Sequence, residues 1–474
     1  MFKSIAIMDI ICSITPIILL ITLMGVFKVS GTKSSIISLV TTIAISKVLY
    51  DIETTTIGEI FLSSSIKAFA TIISVVWMAV FSYNILLHSK HIEVIKAQLS
   101  NISNDKSIQV LLITWGFGSL LEGMAGYGTS VAIPAAILVT LGFKPMFTVV
   151  VSLIANSETT TFGAMGIAEI VLHNETGLPL QELCKATMLQ LAPFVIIIPI
   201  TLAIMADRRR QSLMKNISLG ITIGIASLTV QYFTATYLGP EMPAIATGLI
   251  SIIIIIIWCK HIKQPEKRQH TNLSSKDTWR AWSVYALIIA FIAISIPFNF
   301  KATSLILLAG ASIGGIIQKV SIGTQFNILL KTLLQIKGTA IMIISLVCLS
   351  SLMETTGMVR ILSSSLSEVT ARMYSFYSPL IGEIGTFLTG SGTTANILLA
   401  RLQTAISSEL NVDQVWIATA NTSGTTAGKI ISPQSIAIAA TACGLQGKEG
   451  VILKKTMPFA IAYGLILGLF VSFT

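Results

Sequence analysis

A polar motif that occurs twice within apolar sequence constrains this chain more than any other feature. The first copy, ANSETTTFG, runs from Ala155 to Gly163, and the second, ANTSGTTAG, runs from Ala420 to Gly428, 265 residues later. A second pair lies upstream: GSLLEG from Gly118 to Gly123 and GTFLTG from Gly385 to Gly390. A membrane protein tolerates such irregular, glycine-rich backbone only where it lines a cavity or is buried in protein. The duplication is typical of a transporter whose binding site lies between two repeats.

The composition indicates an all-α polytopic membrane protein in a single domain, residues 1–474. Hydrophobic residues make up 53% of the chain and charged residues only 11%, with a mean hydropathy of +0.83, whereas soluble domains carry about 25% charged residues. Apolar stretches near the ~20 residues that span a bilayer recur along the chain, which predicts roughly 12–14 membrane segments, some of them discontinuous or re-entrant. The clearest spans are Ile5 to Phe27, Ile66 to Leu87, Ala186 to Ala206, Ile217 to Tyr237, Ala244 to Trp258, Trp282 to Phe298, Thr303 to Ile317, Gly338 to Leu352 and Pro458 to Phe473. The first of these is expected to be retained as a helix, because it is long and lacks a clear small-residue cleavage site.

The duplication extends to a pair of amphipathic segments. In each segment, apolar residues follow one another at intervals of three, four and three residues, which predicts one apolar face of a helix. Corresponding residues of the two faces are 267 positions apart in the chain. The faces are Ile92, Ile95, Leu99 and Ile102 in the first half, and Val359, Leu362, Leu366 and Val369 in the second. Both segments are too polar to cross a bilayer, so we expect helices that lie at the membrane interface.

The distribution of positive charge predicts an orientation. The net charge is +10, but Lys and Arg collect in loops, as they do in cytoplasmic loops of membrane proteins, so nucleic acid is not the expected partner. The loops 88–106, 207–215 and 260–280 are therefore placed in the cytoplasm, together with the region of Lys319, Lys331 and Lys337. Counting spans from these loops places both the N-terminus and the C-terminus outside.

Two inverted-topology repeats follow from this orientation. The first amphipathic segment comes after a span that ends in the cytoplasm, and the second comes after a span that begins there. The two halves are therefore expected to enter the membrane from opposite sides, with the site near the midplane between them. Repeat one covers about 36–206, repeat two about 303–474, and helices in about 216–299 connect them.

The motif residues suit a small hydrophilic anion. A helix that begins inside the membrane presents a partly positive N-terminus and free N–H donors, while Ser, Thr and Asn side chains can donate to a ligand or accept from its hydroxyl group. A carboxylate with a nearby hydroxyl would match these groups; close helix packing by small residues is the simpler alternative reading. The predicted substrate-binding residues are Gly126, Tyr127, Gly128, Asn156, Thr160, Thr161, Ser391, Gly392, Thr393, Thr394, Asn421, Thr422, Ser423, Thr425 and Lys429.

Four charged residues interrupt apolar sequence next to the motifs: Glu122, Glu158, Arg401 and Lys429. A charge at the bilayer centre costs at least about 2.5–3.5 kcal/mol on insertion scales, so each needs a partner or water. The functional interpretation makes Lys429 or Arg401 an anion site and makes Glu122 and Glu158 proton carriers. Structural ion pairs, or side chains that reach out from helix ends, are the alternative.

Other classes of protein lack their sequence signals here. The five cysteines are scattered singly and the histidines fall in loops or at span ends, so neither a metal site nor another cofactor is expected. We find no H-E-x-x-H motif and no Walker A motif, which argues against a metalloenzyme and a nucleotide-driven pump. A channel would favour a continuous polar lining rather than a duplicated central site.

Three strings resemble the bacterial L-lactate permease family, whose members are proton-coupled importers of lactate and glycolate. They are IQVLLITWGFGSLLEGMAGYGTSVAIPAAILVTLGFKP, the FGAMGI run from Phe162 to Ile167, and AGKIISPQSIAIAA from Ala427 to Ala440. The resemblance covers most of the chain from Ile92 onward. It implies a secondary transporter of the bacterial cytoplasmic membrane that uses the proton gradient and no ATP, with a small monocarboxylate anion and a proton as partners. The oligomeric state is not indicated.

The chain also departs from the family pattern. Tyr127 stands where the family usually has Phe, and TGSGTTAN replaces the usual TGSDTSSN, so that Gly392 occupies the position of an acidic residue. Arg401 is also unusual for the family, while Glu158 and three Thr follow Asn156-Ser157. One hypothesis is that Glu158 replaces the lost acid across the pocket. Sodium coupling and another small carboxylate remain open, since the motifs also resemble those of sodium-dependent carboxylate transporters.

Overall fold

The structure, a computed structural model, describes residues 7–126, 128–261, 275–295, 302–370 and 373–473. Within these residues every regular element is a helix, which confirms the predicted all-α fold. In the described part of the chain, nine helices are long and apolar enough to cross a membrane. Shorter apolar helices accompany them, and the predicted total of 12–14 membrane segments stays a prediction.

The helices are named in chain order. Those of the first half are α1 Ile7–Gly25, α2 Gly31–Leu49, α3 Thr54–His88, α4 His91–Ser100, α5 Lys106–Met124, α6 Thr129–Thr140, α7 Pro145–Thr159, α8 Gly163–Thr176 and α9 Leu180–Ala206. The middle of the chain forms α10 Leu213–Tyr237, α11 Pro243–His261 and α12 Ser275–Ser295. The second half forms α13 Thr303–Ile317, α14 Ile322–Thr355, α15 Met358–Thr370, α16 Tyr374–Thr389, α17 Gly392–Leu410, α18 Gln414–Ile431, α19 Pro433–Ala442 and α20 Glu449–Ser472.

Two helical hairpins carry the upstream glycine motifs. The first consists of α5 and α6, whose outer ends line one surface pocket through Lys106 and Leu141. The second consists of α16 and α17, whose outer ends are joined where Tyr374 Oη and Ser378 Oγ donate to Gln403 Oε1 at 2.5 and 2.9 Å. The backbone turns sharply at each tip because glycine takes a left-handed conformation there, as at Gly128 (φ +82°).

The order of elements is the same in both halves. A long helix, an amphipathic helix, a hairpin, a motif helix, a shorter helix and a final long helix follow one another in α3–α9 and again in α14–α20. One contact also recurs: Asn156 Nδ2 donates to Ser130 Oγ at 3.0 Å, and Asn421 Nδ2 donates to Asn396 Oδ1 at 2.9 Å. Each bond joins the motif helix to the first five residues of the outgoing hairpin helix, as expected for a repeat.

The two hairpins open toward opposite ends of α9. Ser107, at the outer end of the first hairpin, donates its hydroxyl to Ala203 O at 3.1 Å, near the end of α9. Val415 and Ala418, which follow the second hairpin, pack in a cluster with Leu183, near the start of α9. This placement supports the inverted arrangement, which itself stays a prediction together with the repeat boundaries.

The two amphipathic segments form helices, although the apolar face of the second is shorter than predicted. Ile92, Ile95 and Leu99 of α4 are buried, as are Val359 and Leu362 of α15. Ile102, just after the end of α4, and Leu366 are half-buried and pack against the core, whereas Val369 is 84% exposed. The pattern therefore predicted the helices and overestimated how far the second one is covered by the protein.

Glycines allow α16 and α18 to touch backbone to backbone. A Cβ at Gly424 would overlap the carbonyl group of Pro379, and one at Gly428 would overlap that of Glu383. From the other side, a Cβ at Gly382 would overlap the carbonyl of Asn421. Small residues are what permits such close approach between membrane helices, and here the contact holds the motif helix α18 against the second hairpin.

Replacing Gly424 by alanine should therefore destabilise the fold, since overpacking costs about 1–3 kcal/mol. The measurement is the melting temperature of the purified protein in detergent. Gly323→Ala is the matched control, because nothing lies within 4 Å of a Cβ there and the residue is also helical. Equal melting temperatures for the two variants would contradict the proposed backbone contact.

Candidate functional site

The tips of the two hairpins meet at one cavity in the middle of the protein. The space that the centre of a water-sized sphere can occupy is about 100 Å³. By the same measure, one water needs roughly 10–15 Å³. The lining residues are Glu122, Gly126, Gly128, Thr160, Gly163, Ala164, Ile167, Thr339, Met342, Ile343, Gly390, Ser391, Gly392, Thr393, Thr394, Lys429, Gln434, Ser435 and Ile438. Both halves of the chain therefore contribute to a single cavity large enough for a small molecule.

Three helices begin at this cavity. Gly128 is the N-cap of α6, Ser391 is the N-cap of α17, and Gln434 and Ser435 belong to the first turn of α19. The first N–H groups of a helix have no partner within the helix, and its dipole makes that end partly positive. Ser391 Oγ and Ser432 Oγ already accept from Thr394 N and Ser435 N, so the remaining N–H groups and the dipoles of the three ends are what suits the cavity to an anion.

The segment that begins α8 completes the same wall in a strained conformation. Ala164, Met165 and Gly166 all have left-handed backbones, with φ of +46°, +62° and +69°. Such conformations are uncommon for residues with a Cβ and are found mostly where a function or tight packing requires them. Here they turn the chain sharply from the motif helix α7 into α8, so that Gly163 and Ala164 face the cavity.

Lys429 is the positively charged side chain among the described residues that line the cavity. It lies in the last turn of α18, and its Nζ donates to the carbonyl oxygen of Gly390 at the tip of the second hairpin, at 3.0 Å. None of the described ion pairs within 4.0 Å includes Lys429. Its charge is therefore available to an anion in the cavity, and its carbonyl contact fixes the direction in which the ammonium group points.

Glu122 faces the same cavity from the tip of the first hairpin, and hydrogen bonds hold one of its two carboxylate oxygens. Its Oε2 accepts hydrogen bonds from Ser130 Oγ and from Asn156 Nδ2, the latter at 2.9 Å. Its Oε1 lies against Gly163, where a Cβ would come within 2.5 Å of it. Two polar side chains from α6 and α7 thus position one carboxyl group at the cavity, with glycine leaving room for the other oxygen.

The corresponding residues of the second half serve a different purpose. Asn396 Oδ1 accepts hydrogen bonds from Asn421 Nδ2 and Thr422 Oγ1, at 2.9 and 3.0 Å, and Asn396 Nδ2 donates to Ala168 O at 2.9 Å. These groups are fully buried and do not line the cavity. They join α18, α17 and α8 behind it, so Asn421 and Thr422 support the wall that other residues present.

The structure brings together about half of the predicted substrate-binding residues. Those that line the cavity are Gly126, Gly128, Thr160, Ser391, Gly392, Thr393, Thr394 and Lys429. Asn156 does not line the cavity but donates to the lining residue Glu122. Thr425 packs against Gly392, where its Oγ1 would lie 2.9 Å from an added Cβ. Thr161 and Ser423 are buried away from the cavity, with hydroxyl oxygens that have no hydrogen-bond partner in the structure. Tyr127 lies outside the described residues.

Glu158 and Arg401 face other parts of the protein. Glu158 is fully buried and accepts a hydrogen bond from Gln231 Nε2 of α10 at 3.2 Å, and it is not among the residues that line the cavity beside Gly392. Arg401 Nε donates to Glu175 Oε2 at 2.8 Å in a largely buried ion pair. The alternative of a structural ion pair thus describes Arg401, whereas the role of Glu158 stays a prediction.

Several lining residues were absent from the predicted set. Gly163, Ala164, Ile167, Gln434, Ser435 and Ile438 all lie within the strings that carried the family resemblance. Thr339, Met342 and Ile343 come from α14, where the sequence reads as an ordinary apolar span. Only packing decides which face of such a helix meets the cavity, so no local signal could have identified them.

Comparison with known proteins places the chain among transporters. Residues 9–304 and 296–474 match the L-lactate permease family. The L-lactate permease of Streptococcus iniae is 31% identical over 439 residues, covering 86% of this chain and 93% of that protein. The L-lactate permease of Bacillus subtilis (strain 168) and the glycolate permease GlcA of Escherichia coli (strain K12) are each 27% identical, covering 95% and 96% of this chain and 93% and 94% of those proteins.

Two solved transporter structures share the fold. The Alcanivorax borkumensis transporter YdaH, described as having an unusual topology, has a TM-score of 0.55 at 12% identity, covering 93% of this chain and 97% of that one. Neisseria gonorrhoeae MtrF, described in a class of antimetabolite efflux pumps, has a TM-score of 0.55 at 11% identity, covering 95% and 96%. At such low identity the likeness concerns the fold alone.

Removing the amide of Asn156 should destabilise the first hairpin. Asn156→Ala leaves Glu122 with one donor fewer, and a hydrogen bond to a charged group contributes about 1.5–3 kcal/mol. The melting temperature in detergent is the measurement, with Asn327→Ala on the exposed face of α14 as control. An unchanged melting temperature for Asn156→Ala would show that the network around Glu122 contributes nothing to stability.

Proposed function

Because the chain belongs to the L-lactate permease family, we propose that it imports L-lactate, and similar small 2-hydroxy monocarboxylates such as glycolate, by proton symport. Membership of the family makes it a transporter rather than an enzyme, and its apolar helices make it a multi-pass membrane protein. The relatives are named for L-lactate and for glycolate, which supports this substrate class. The membrane we propose is the bacterial cytoplasmic membrane, with both termini outside.

The observation that carries the proposal is the convergence of Lys429 with three helix N-termini on one cavity. A carboxylate placed there would accept from the ammonium group and from backbone N–H groups, which is how proteins bind such anions. The site takes one anionic group, since Lys429 supplies one positive charge. This favours a monocarboxylate over a dicarboxylate.

The remaining lining residues fit the rest of a 2-hydroxy acid. Thr160, Thr393 and Thr394 bring hydroxyl groups that can donate to or accept from a substrate hydroxyl. Ile167, Met342, Ile343 and Ile438 provide apolar surface for a methyl group. A cavity with one charged end, hydroxyl donors and an apolar wall matches lactate, and glycolate fits the same site without its methyl contact.

Glu122 provides a route to proton coupling. Lys429 and Glu122 share the cavity, so an ionised Glu122 and a substrate carboxylate compete for one ammonium group. Protonation of Glu122 removes its negative charge, so that the substrate carboxylate no longer competes with it for Lys429 and binds more strongly. Loss of the proton restores the negative charge of Glu122 and favours release of the substrate. Two ligands that each strengthen the binding of the other are the thermodynamic requirement for symport. In this scheme the hairpins expose the cavity to each side in turn.

Glu158 is retained in the proposal as a second proton carrier, away from the cavity. It is fully buried against α10, with one carboxylate oxygen that has no hydrogen-bond partner in the structure. Sodium is the alternative coupling ion. Among the described residues no group of three or more His, Cys, Asp or Glu side chains is placed to hold a metal ion, and a sodium site built from carbonyl and hydroxyl oxygens would be the form to test.

Uptake of labelled L-lactate into proteoliposomes tests the proposal directly. Imposed pH and sodium gradients are varied separately. We expect accumulation that requires an inward proton gradient and collapses with an uncoupler. Accumulation driven only by a sodium gradient would mean that sodium is the coupling ion instead of the proton. The absence of any saturable uptake or exchange of 2-hydroxy acids would reject the proposed substrate class.

Lys429→Gln should weaken lactate binding about 10- to 100-fold, because the charge-assisted contact to the carboxylate is worth about 1.5–3 kcal/mol. The half-saturation concentration for exchange in the absence of any gradient measures this change. Lys185→Gln, an exposed lysine on α9, is the matched control. Equal half-saturation values for the two variants would remove Lys429 from the site.

A further inference from the structure

One buried carboxyl group outside the cavity has no role in the transport scheme proposed above. Glu169 lies on α8, two residues beyond the lining residue Ile167, and its side chain is fully buried. Neither of its carboxylate oxygens has a partner in good hydrogen-bond geometry among the described residues. Such isolation is rare for a buried carboxyl group, and ionisable side chains within a membrane are functional by default.

Polar side chains of α9 face Glu169, and no ion pair to a cation is found for it among the described residues. The hydroxyl of Thr187, also fully buried, is the hydrogen-bonding neighbour of its carboxyl group, although the pair falls short of hydrogen-bond geometry. The thiol of Cys184, one turn earlier on α9, lies within electrostatic range of both Glu169 and Glu241. Glu169 and Glu241 are thus two carboxyl groups near the same part of α9.

The other charged groups packed against α8 lie at its two ends. Lys67 of α3 donates to the carbonyl oxygen of Asn174 at 2.8 Å, and Arg401 of α17 pairs with Glu175. At the opposite end, Glu122 lies against Gly163. Among the described ion pairs none involves Glu169, so an ionised Glu169 would have no countercharge in direct contact.

Glu241 lies in the loop that joins α10 to α11 and packs against the beginning of α8. A Cβ at Gly166 would overlap Pro240, the residue next to Glu241, and Gly166 belongs to the strained segment that follows Gly163. Glu241 is half-buried, and its Oε1 accepts a hydrogen bond from Thr303 Oγ1 at 3.1 Å. Burial raises the pKa of its carboxyl group above the ordinary value, which the hydrogen bond from Thr303 partly opposes.

The loop of Glu241 lies at the end of α9 that is proposed to face outward. Gln181, near the start of α9, donates through Nε2 to Thr236 O at 2.6 Å, close to the end of α10. The positively charged loop at 207–215, which we place in the cytoplasm, is at the other end of both helices. Carboxyl groups are thus found at the outer loop, within α8 and at the cavity.

We propose that Glu169 binds the transported proton between the outer face of the membrane and the cavity, and that Glu241 takes this proton from water. This inference rests on the proposed proton symport and adds two groups to it. A hydronium ion in the outside water gives its proton to the Glu241 carboxylate and is left as water, and the O–H bond of Glu241 then breaks as an O–H bond forms on the Glu169 carboxylate. Glu241 is left ionised and ready for the next proton, while neutral Glu169 holds the proton beside the segment that leads to Glu122. No other bond is formed or broken.

The test compares Glu169→Gln with the wild-type protein in two transport assays. Exchange of labelled against unlabelled lactate needs no net proton movement, so we expect the variant to retain it. Accumulation driven by a pH gradient should be lost, leaving only passive equilibration, and Glu169→Asp should restore part of it. Wild-type accumulation in Glu169→Gln, or loss of exchange together with accumulation in a variant of normal melting temperature, would overturn the proposal.

Glu182→Gln is the matched control, because Glu182 is an exposed acid on α9 close to Cys184; it should leave both assays unchanged. A measurement that does not depend on lactate separates this inference from the proposed function. The infrared spectrum of the wild-type protein should contain a band of a buried protonated carboxyl group that is absent from Glu169→Gln and retained in Glu182→Gln. If no such band is lost, Glu169 holds no proton, whatever the substrate is.

Discussion

The structure depends on one constraint: polar backbone groups in a membrane must find partners within the protein. Both glycine motifs end a helix inside the protein, and α6 and α17 start again after the turns at Gly128 and Gly390. Each new helix start exposes N–H groups that have no partner in the helix. Because both tips face one cavity, these helix starts and Lys429 are collected in one place, which is the basis of the anion site that we propose.

The same constraint explains why the glycines and the amide networks occur together. Interrupted helices lose hydrogen bonds at their ends, so neighbouring elements must hold them in position. Backbone contact between α16 and α18 through Gly424 and Gly428 supports one hairpin, and the bonds of Asn156 to Ser130 and Glu122 support the other. Close packing and a cavity wall are thus both found in the motif regions, and the binding role of the motifs stays a prediction.

The two halves share an order of elements but differ in chemistry at the cavity. The first half contributes a carboxyl group, Glu122, and the second contributes an ammonium group, Lys429. In the symport that we propose, the competing charges therefore come from different halves. Two halves with the same order of elements thus present different charged groups to one cavity.

Sequence patterns identified the elements of the site better than its individual side chains. The glycine motifs, Glu122 and Lys429 could be selected because charge and irregular backbone are conspicuous in apolar sequence, and Glu122, Gly390 and Lys429 line the cavity. The neighbours Thr160 and Thr161 show where this reasoning ends: the first lines the cavity, while the second is buried elsewhere. Where a helix breaks off irregularly, as at the segment after Thr159, helical periodicity no longer predicts which way a side chain points.

The sequence by itself determined the class of protein, the helical fold, the duplicated motifs and the family, because these depend on composition, hydropathy and local residue order. Only the tertiary structure decided that Glu158 faces Gln231, that Arg401 pairs with Glu175, and that α14 supplies Met342 to the cavity. Each of these depends on the rotation of one helix against another. That rotation is set by contacts between residues far apart in the chain, for which a single sequence carries no local signal.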